Sequence, residues 1–113
     1  MFHWHITDSE SFPMFVNDYP NITKFGAYSE EKVYSAEDIQ KLVEYGQSVG
    51  VVIIPEVDSP SHTRAWTNAP ELNELNSCHD YPPQEWATYC LEPPCGIYIL
   101  LFKLLRTIRC YFE

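Results

Sequence analysis

A chain of 113 residues, 45% hydrophobic and 20% charged, has the composition of a folded protein and can enclose one modest core. Its formal charge of −9 argues against nucleic acid or an anionic membrane as a partner, because both are held by basic patches. The acidity is uneven: residues 1 to 96 hold fifteen acidic and four basic groups, whereas residues 97 to 113 hold one acidic and three basic.

The chain starts directly in a strand. Phe2 to Thr7 is aromatic and β-branched and runs into the polar Asp8-Ser9-Glu10-Ser11, the pattern of a strand that feeds a loop. Phe2, Trp4 and Ile6 fall on one face, His3, His5 and Thr7 on the other. Met1 leads into this run without a charged segment or a long apolar stretch, so no leader peptide is expected and the start reads as internal to a domain. From Ser11 to Tyr34, punctuated by Pro13, Pro20 and Gly26, a long irregular loop is expected. Ser35 with Asp38 three residues on forms a carboxylate variant of the capping box. The helix it opens places Ile39, Leu42, Val43, Gly46 and Val49 on one stripe, and Gly50 supplies its stop. Val51 to Val57 is nearly continuous in apolar residues, as expected of a strand buried on both faces of a parallel sheet. Pro55 is tolerable near its end. Strand, helix and strand make a βαβ unit.

Beyond Ala65 the spacing dissolves into Pro, Asn, Cys and Tyr as far as Gly96, which predicts a loop with one short helix near Glu71 to Asn76. Cys78, Cys90, Cys95 and Cys110 allow three pairings, point weakly to an oxidising compartment, and lack the paired spacing of a zinc site. Asn21-Ile22-Thr23 is a glycosylation sequon, usable on the secretory route. Ile97 to Phe112 is apolar with Lys103, Arg106 and Arg109 interspersed, too short and too charged for a membrane span.

Both strands end in ionisable residues, and in parallel α/β folds the C-terminal strand ends converge on the face where active sites are built. Asp8, Asp58 and His62 are therefore expected to share one mouth. A histidine among carboxylates suits a proton-handling network; the plainer alternative is that Asp58 caps a turn and His62 only bonds to it. His3 and His5 at H-x-H spacing point the same way, as metal ligands do, and also as packing or hydrogen-bonding residues do.

Phe2-His3-Trp4-His5-Ile6-Thr7-Asp8 followed by Ser11-Phe12-Pro13 resembles the second barrel strand and exit loop of family 20 glycoside hydrolases, the β-N-acetylhexosaminidases. Gly26-Ala27-Tyr28-Ser29, Tyr34 with the helix after it, and Ile54-Pro55-Glu56-Val57-Asp58-Ser59-Pro60-Ser61-His62-Thr63 resemble that family's next unit, in the same order. The resemblance implies an α/β fold: a partial (β/α)8 TIM barrel of about two β/α units over residues 1–96, followed by a divergent tail at 97–113. A complete barrel takes around 250 residues, so a fragment is expected, with a frameshift, retained intron or assembly break near Gly96 as the hypothesis for the tail.

The resemblance further implies hydrolysis of terminal N-acetylhexosamine from glycans, chitooligosaccharides or glycoconjugates by substrate-assisted retaining catalysis, with no cofactor and no metal. It implies that Asp8 and His62 bind in the network around the terminal sugar, that Asp58 supports them with His62 facing the catalytic Glu, and that Trp66 is either a wall of the sugar site or a packing residue. A lysosomal or secreted parent, often a homodimer, goes with the family. In that family an adjacent Asp-Glu pair orients the acetamide and protonates the leaving oxygen; no Asp-Glu dipeptide occurs in these 113 residues, so no catalytic acid is assigned and the polypeptide alone is expected to be inactive. Ser9 stands where many members have a second Asp, and Ser61 where many have Gly. The competing readings are a metal-dependent barrel of the amidohydrolase type using His3 and His5, and a non-catalytic remnant.

Overall fold

The structure is a computed structural model that describes residues 1–59 and 62–75, together with Arg106 and Phe112. The four cysteines, the predicted boundary at Gly96 and nearly all of the tail lie outside the described residues.

Strand β1, Phe2–Thr7, and strand β2, Ile53–Val57, pair in parallel. Between them lie helix α1, Pro20–Gly26, and helix α2, Ala36–Ser48. A short helix α3, Arg64–Thr67, and a 3-10 turn, Pro70–Leu75, follow β2. The register sets Phe2 against Ile53, His3 against Ile54, Trp4 against Pro55 and His5 against Glu56; it then slips, so that Thr7 meets Val57 and Ile6 is the extra residue. Partners in a parallel pair face the same side, so His3, His5, Ile54 and Glu56 line one face, and Phe2, Trp4, Ile53 and Pro55 the other.

Helix α2 forms where the capping box predicts. The Ser35 hydroxyl accepts from the Asp38 N–H at 3.1 Å and the Asp38 carboxylate accepts from the Ser35 N–H at 3.0 Å, satisfying two donors that a helix start leaves open. Gly50, at φ 72°, ends it in the left-handed conformation. The predicted stripe is only partly covered: Ile39 and Gly46 are buried, whereas Leu42 and Val49 are 38% and 54% exposed. Gly46 is where helix meets strand, since a Cβ there would lie 2.7 Å from the Val51 carbonyl oxygen.

The segment expected to be a loop between Ser11 and Tyr34 is the most deeply packed part of the chain. Phe12, Met14, Val16 and Ile22 are fully buried and join Ile39, Ala65, Trp66, Ala69 and Leu72 in the core. Its backbone is tied down by Phe12 N–H to the Gly26 carbonyl at 2.9 Å and Tyr34 N–H to the Pro13 carbonyl at 2.8 Å. It contains α1, which the loop expectation missed; Pro20 at the first helical turn was the one local signal, as no side chain caps this helix. Likewise α3 interrupts a stretch predicted to be irregular, and the predicted helix near Glu71 is the 3-10 turn. The expectation that β2 is buried on both faces fails: Ile54 is 42% exposed, because among the described residues β1 is its sole neighbour in the sheet.

Candidate active site

Asp8 follows β1 directly and is held on every side. Its Oδ2 accepts from His5 Nε2 at 2.8 Å, and its Oδ1 takes the Ser9 N–H at 2.5 Å and His62 Nδ1 at 2.9 Å. The slip at Ile6 lies two residues before Asp8, and bulges of this kind re-aim the side chains that follow them. His62 reaches Asp8 from the loop after β2 with φ 60°, a conformation uncommon for a residue with a Cβ and one that surrounding contacts must hold. Sequence reading placed Asp8 and His62 at one mouth, and they are in direct contact. Asp58 sits one layer away, beside Glu56 and within 4.8 Å of the His5 and Glu56 ligand atoms.

Sequence reading weighed His5 only as a metal ligand or as a packing or hydrogen-bonding residue, and gave Glu56 no site role. His5 lies between two carboxylates, Nδ1 on Glu56 Oε1 at 2.7 Å and Nε2 on Asp8 Oδ2 at 2.8 Å. The other oxygen of Glu56 meets His3 Nε2. The result is an alternating row, His3, Glu56, His5, Asp8, His62, that crosses the sheet and climbs to its C-terminal end. The alternation of His3 with His5 and of Glu56 with Asp58 along the strands was visible in the sequence. Which carboxylate faced which imidazole depended on the register.

The protonation states follow from these contacts. The hydrogen bond to Asp8 first, and that to Glu56 second, hold the His5 imidazole above its ordinary value of 6.5 against the opposing effect of burial. Burial works against the Asp8 anion, but the Ser9 N–H and the two imidazoles outweigh it and keep the carboxyl below its ordinary 3.8. His5 chiefly, then the charges of His3 and His5 and a contact from Asp58, keep Glu56 below its ordinary 4.5. The contacts thus favour the ionised form of Asp8 and Glu56 and the protonated form of the His5 between them. His5, Glu56 and Asp58 are also close enough to share a cation, although a metal on His5 would have to displace a carboxylate from one of its nitrogens. His3 and His5 both turn toward Glu56, so the H-x-H pair has a carboxylate between its rings.

The remaining candidates take other places. Trp66 is fully buried, edge-on to Phe12 at a centroid distance of 5.7 Å, which makes it a packing residue rather than a wall of the mouth. Asn21 lies in α1, half-buried, with Nδ2 donating to Glu71 at 3.3 Å, and the Thr23 hydroxyl of its sequon is buried on the Met14 carbonyl at 2.5 Å. Both ends of the sequon are therefore engaged in the folded chain. Beside β1, a cleft of about 600 Å³ runs past His5, Thr7, Asp8, Tyr28, Lys32 and Tyr34.

Comparison with known proteins identifies the family. Residues 1–107 match the glycosyl hydrolase family 20 catalytic domain. The chain belongs to glycosyl hydrolase family 20. It is 47% identical over 96 residues to a chitooligosaccharidolytic β-N-acetylglucosaminidase of Bombyx mori, an alignment that covers 84% of this chain and 15% of the silkworm protein. It is 48% identical to a probable β-hexosaminidase of Arthroderma benhamiae, over 98% of this chain and 20% of that one. Among solved structures, a Flavobacterium johnsoniae chitobiase superimposes with a TM-score of 0.82 at 27% identity, covering 99% of this chain and 17% of the chitobiase. The chain thus spans about a seventh of the length of the silkworm relative. Membership of family 20 displaces the amidohydrolase-type reading, and the family match runs past Gly96 to residue 107.

Proposed function

We propose that this chain contributes two consecutive β/α units, with one side of the active-site mouth, to the (β/α)8 barrel of a β-N-acetylhexosaminidase. The enzyme would release terminal N-acetylhexosamine from chitooligosaccharides or glycoconjugates. The observation that carries the reading is the Asp8 carboxylate clamped between His5 and His62 at the C-terminal ends of two parallel strands, the end at which barrels of this type do their chemistry.

In the substrate-assisted reaction the acetamido oxygen of the sugar attacks the anomeric carbon, the glycosidic C–O bond breaks, and the leaving oxygen takes a proton from an acid outside these residues. Asp8 and His62 bind around the terminal sugar and that acid. Because Asp8 stays ionised, it accepts the Nδ1 proton of His62, which leaves Nε2 as the nitrogen able to exchange a proton with a neighbour. Asp58 steadies the network through Glu56. The cleft along β1, and the apolar groove of Phe2, Trp4, Leu42, Tyr45 and Val49 between β1 and α2, are where the adjoining strand and its helix would pack. A secreted or lysosomal enzyme, as a homodimer, completes the proposal. The 113 residues by themselves are expected to be inactive, since no Asp-Glu pair occurs among them.

The test is a graft. Residues 1–75 replace the stretch they match in the silkworm enzyme, and release of N-acetylglucosamine from a chitooligosaccharide is measured. The graft is expected to be active, and Asp8→Ala or His62→Ala within it to lower kcat by about 100-fold or more, the scale of losing a positioned proton-handling group. An active graft indifferent to both substitutions would sink the proposal.

A further inference from the structure

We propose that His5 and Glu56 are positioning residues: they lock the Asp8 carboxylate from below, and through it fix the ring of His62. The inference rests on the proposed function and names residues that act on that site without touching the sugar.

The register sets His5 opposite Glu56 and turns both to one face of the sheet. Both His5 nitrogens meet carboxylate oxygens, at 2.7 and 2.8 Å. A neutral imidazole carries one N–H and can satisfy only one of them; the imidazolium carries two and satisfies both. Glu56 is therefore what keeps His5 a double donor. Asp8 in turn has both oxygens engaged, Oδ2 by His5 and Oδ1 by Ser9 and His62. With Oδ2 pinned, the carboxylate cannot rotate, and Oδ1 stays where His62 Nδ1 needs it. His62 depends on that anchor, because its backbone is held at φ 60°.

Among the described residues, His3 also meets Glu56, and Asp58 stands beside it. Taking the charge from Glu56 lets His5 deprotonate. Asp8 then loses the charged donor on Oδ2, and its carboxylate is free to turn away from His62.

Because the chain spans 15% of the silkworm relative, the experiment uses the same graft, in an intact domain. Glu56→Gln and His5→Gln are each expected to lower kcat by about 10- to 100-fold with KM little changed, the range seen when an outer hydrogen-bond partner of a ligating histidine is removed in metal centres. In Glu56→Gln the alkaline limb that reports loss of the second His5 proton moves to lower pH, and Glu56→Asp recovers part of the loss. Histidine ¹⁵N spectra give a readout independent of turnover: His5 keeps protons on both nitrogens to higher pH in the unsubstituted graft than in Glu56→Gln. The inference is overturned by variants whose kcat stays within twofold and whose profiles superimpose, or by a His5 that loses its second proton at the same pH in the unsubstituted graft and in Glu56→Gln. A lowered melting temperature with an unchanged profile would mean a packing role and also overturns it. If the unsubstituted graft is inactive while His5 responds to Glu56 as described, the clamp stands and the hydrolase reading fails.

Discussion

Two regions of this chain have opposite characters. The segment from Phe12 to Gly26 and the turn of helix at Arg64–Thr67 enclose the apolar core with Trp66 at its centre, while the sheet face that holds His3, His5, Glu56 and Asp58 is polar and partly open. In a small α/β unit the core usually lies between sheet and helix. Here most of it lies beside the strand exits, with Ile6 of β1 and Ile39 of α2 joining it, so the loop that carries Asp8 and the one that carries His62 are braced by packing as well as by the sheet. Stability and chemistry are thereby separated, and substitutions in the two regions should read out in different ways.

The largest effect should come from the core. Trp66→Ala is expected to cost about 3–5 kcal/mol, measured by denaturant unfolding of the dilute chain; a loss below 1 kcal/mol would show that the strand-exit core is not the stabilising one. The close approaches come next. A Cβ at Gly26 would stand 2.7 Å from the Ala65 carbonyl oxygen and 3.1 Å from Phe12, so Gly26→Ala should cost about 1–3 kcal/mol, although alanine is the better helix former. A neutral or stabilised Gly26→Ala protein would mean that α1 and α3 are free to separate. Ser35→Ala removes one half of the capping box on α2 and should cost about 1 kcal/mol, read as a fall in the denaturation midpoint with an unchanged slope.

The sheet face should speak through pH instead. His5 is raised above 6.5, so its contribution is complete below that value and lost as pH rises through the folded-state value. Asp8 and Glu56 are lowered below 3.8 and 4.5, so theirs are present above those values and lost as pH falls through the folded-state ones. Melting temperature should therefore be highest between pH 4.5 and 6.5 and decline gently on both sides, with the alkaline decline absent in His5→Gln. A profile flat from pH 6 to 9 in the unsubstituted chain would remove the imidazolium from the account.

The comparison also shows why the loop between the strands was misread. Phe12, Met14 and Val16 alternate as a strand would, but Pro13 and Pro20 mark the stretch as irregular, and what orders it is an isolated bridge from Met14 to Tyr34 and the contact with Trp66. Those partners lie 20 and 54 residues away from it in the chain, beyond the reach of any local pattern. The exposed side of α2 has a related origin: the stripe from Ile39 to Val49 is drawn for more neighbours than the described residues supply, so Leu42, Tyr45 and Val49 remain uncovered.

What the sequence determined by itself is what short-range chemistry controls: the aromatic β1, the capped α2 with its glycine stop, the apolar β2, and the family resemblance in the two strand-end motifs. It also placed Asp8 and His62 at one end, because parallel strands joined by a helix must finish on the same side. Tertiary structure alone decided that His5 meets Glu56, that one carboxylate spans two imidazoles, and that Trp66 belongs to the core. The first of these hangs on register, since a slip of a single residue would have turned Glu56 away from His5; the others hang on how the segments after the strands pack.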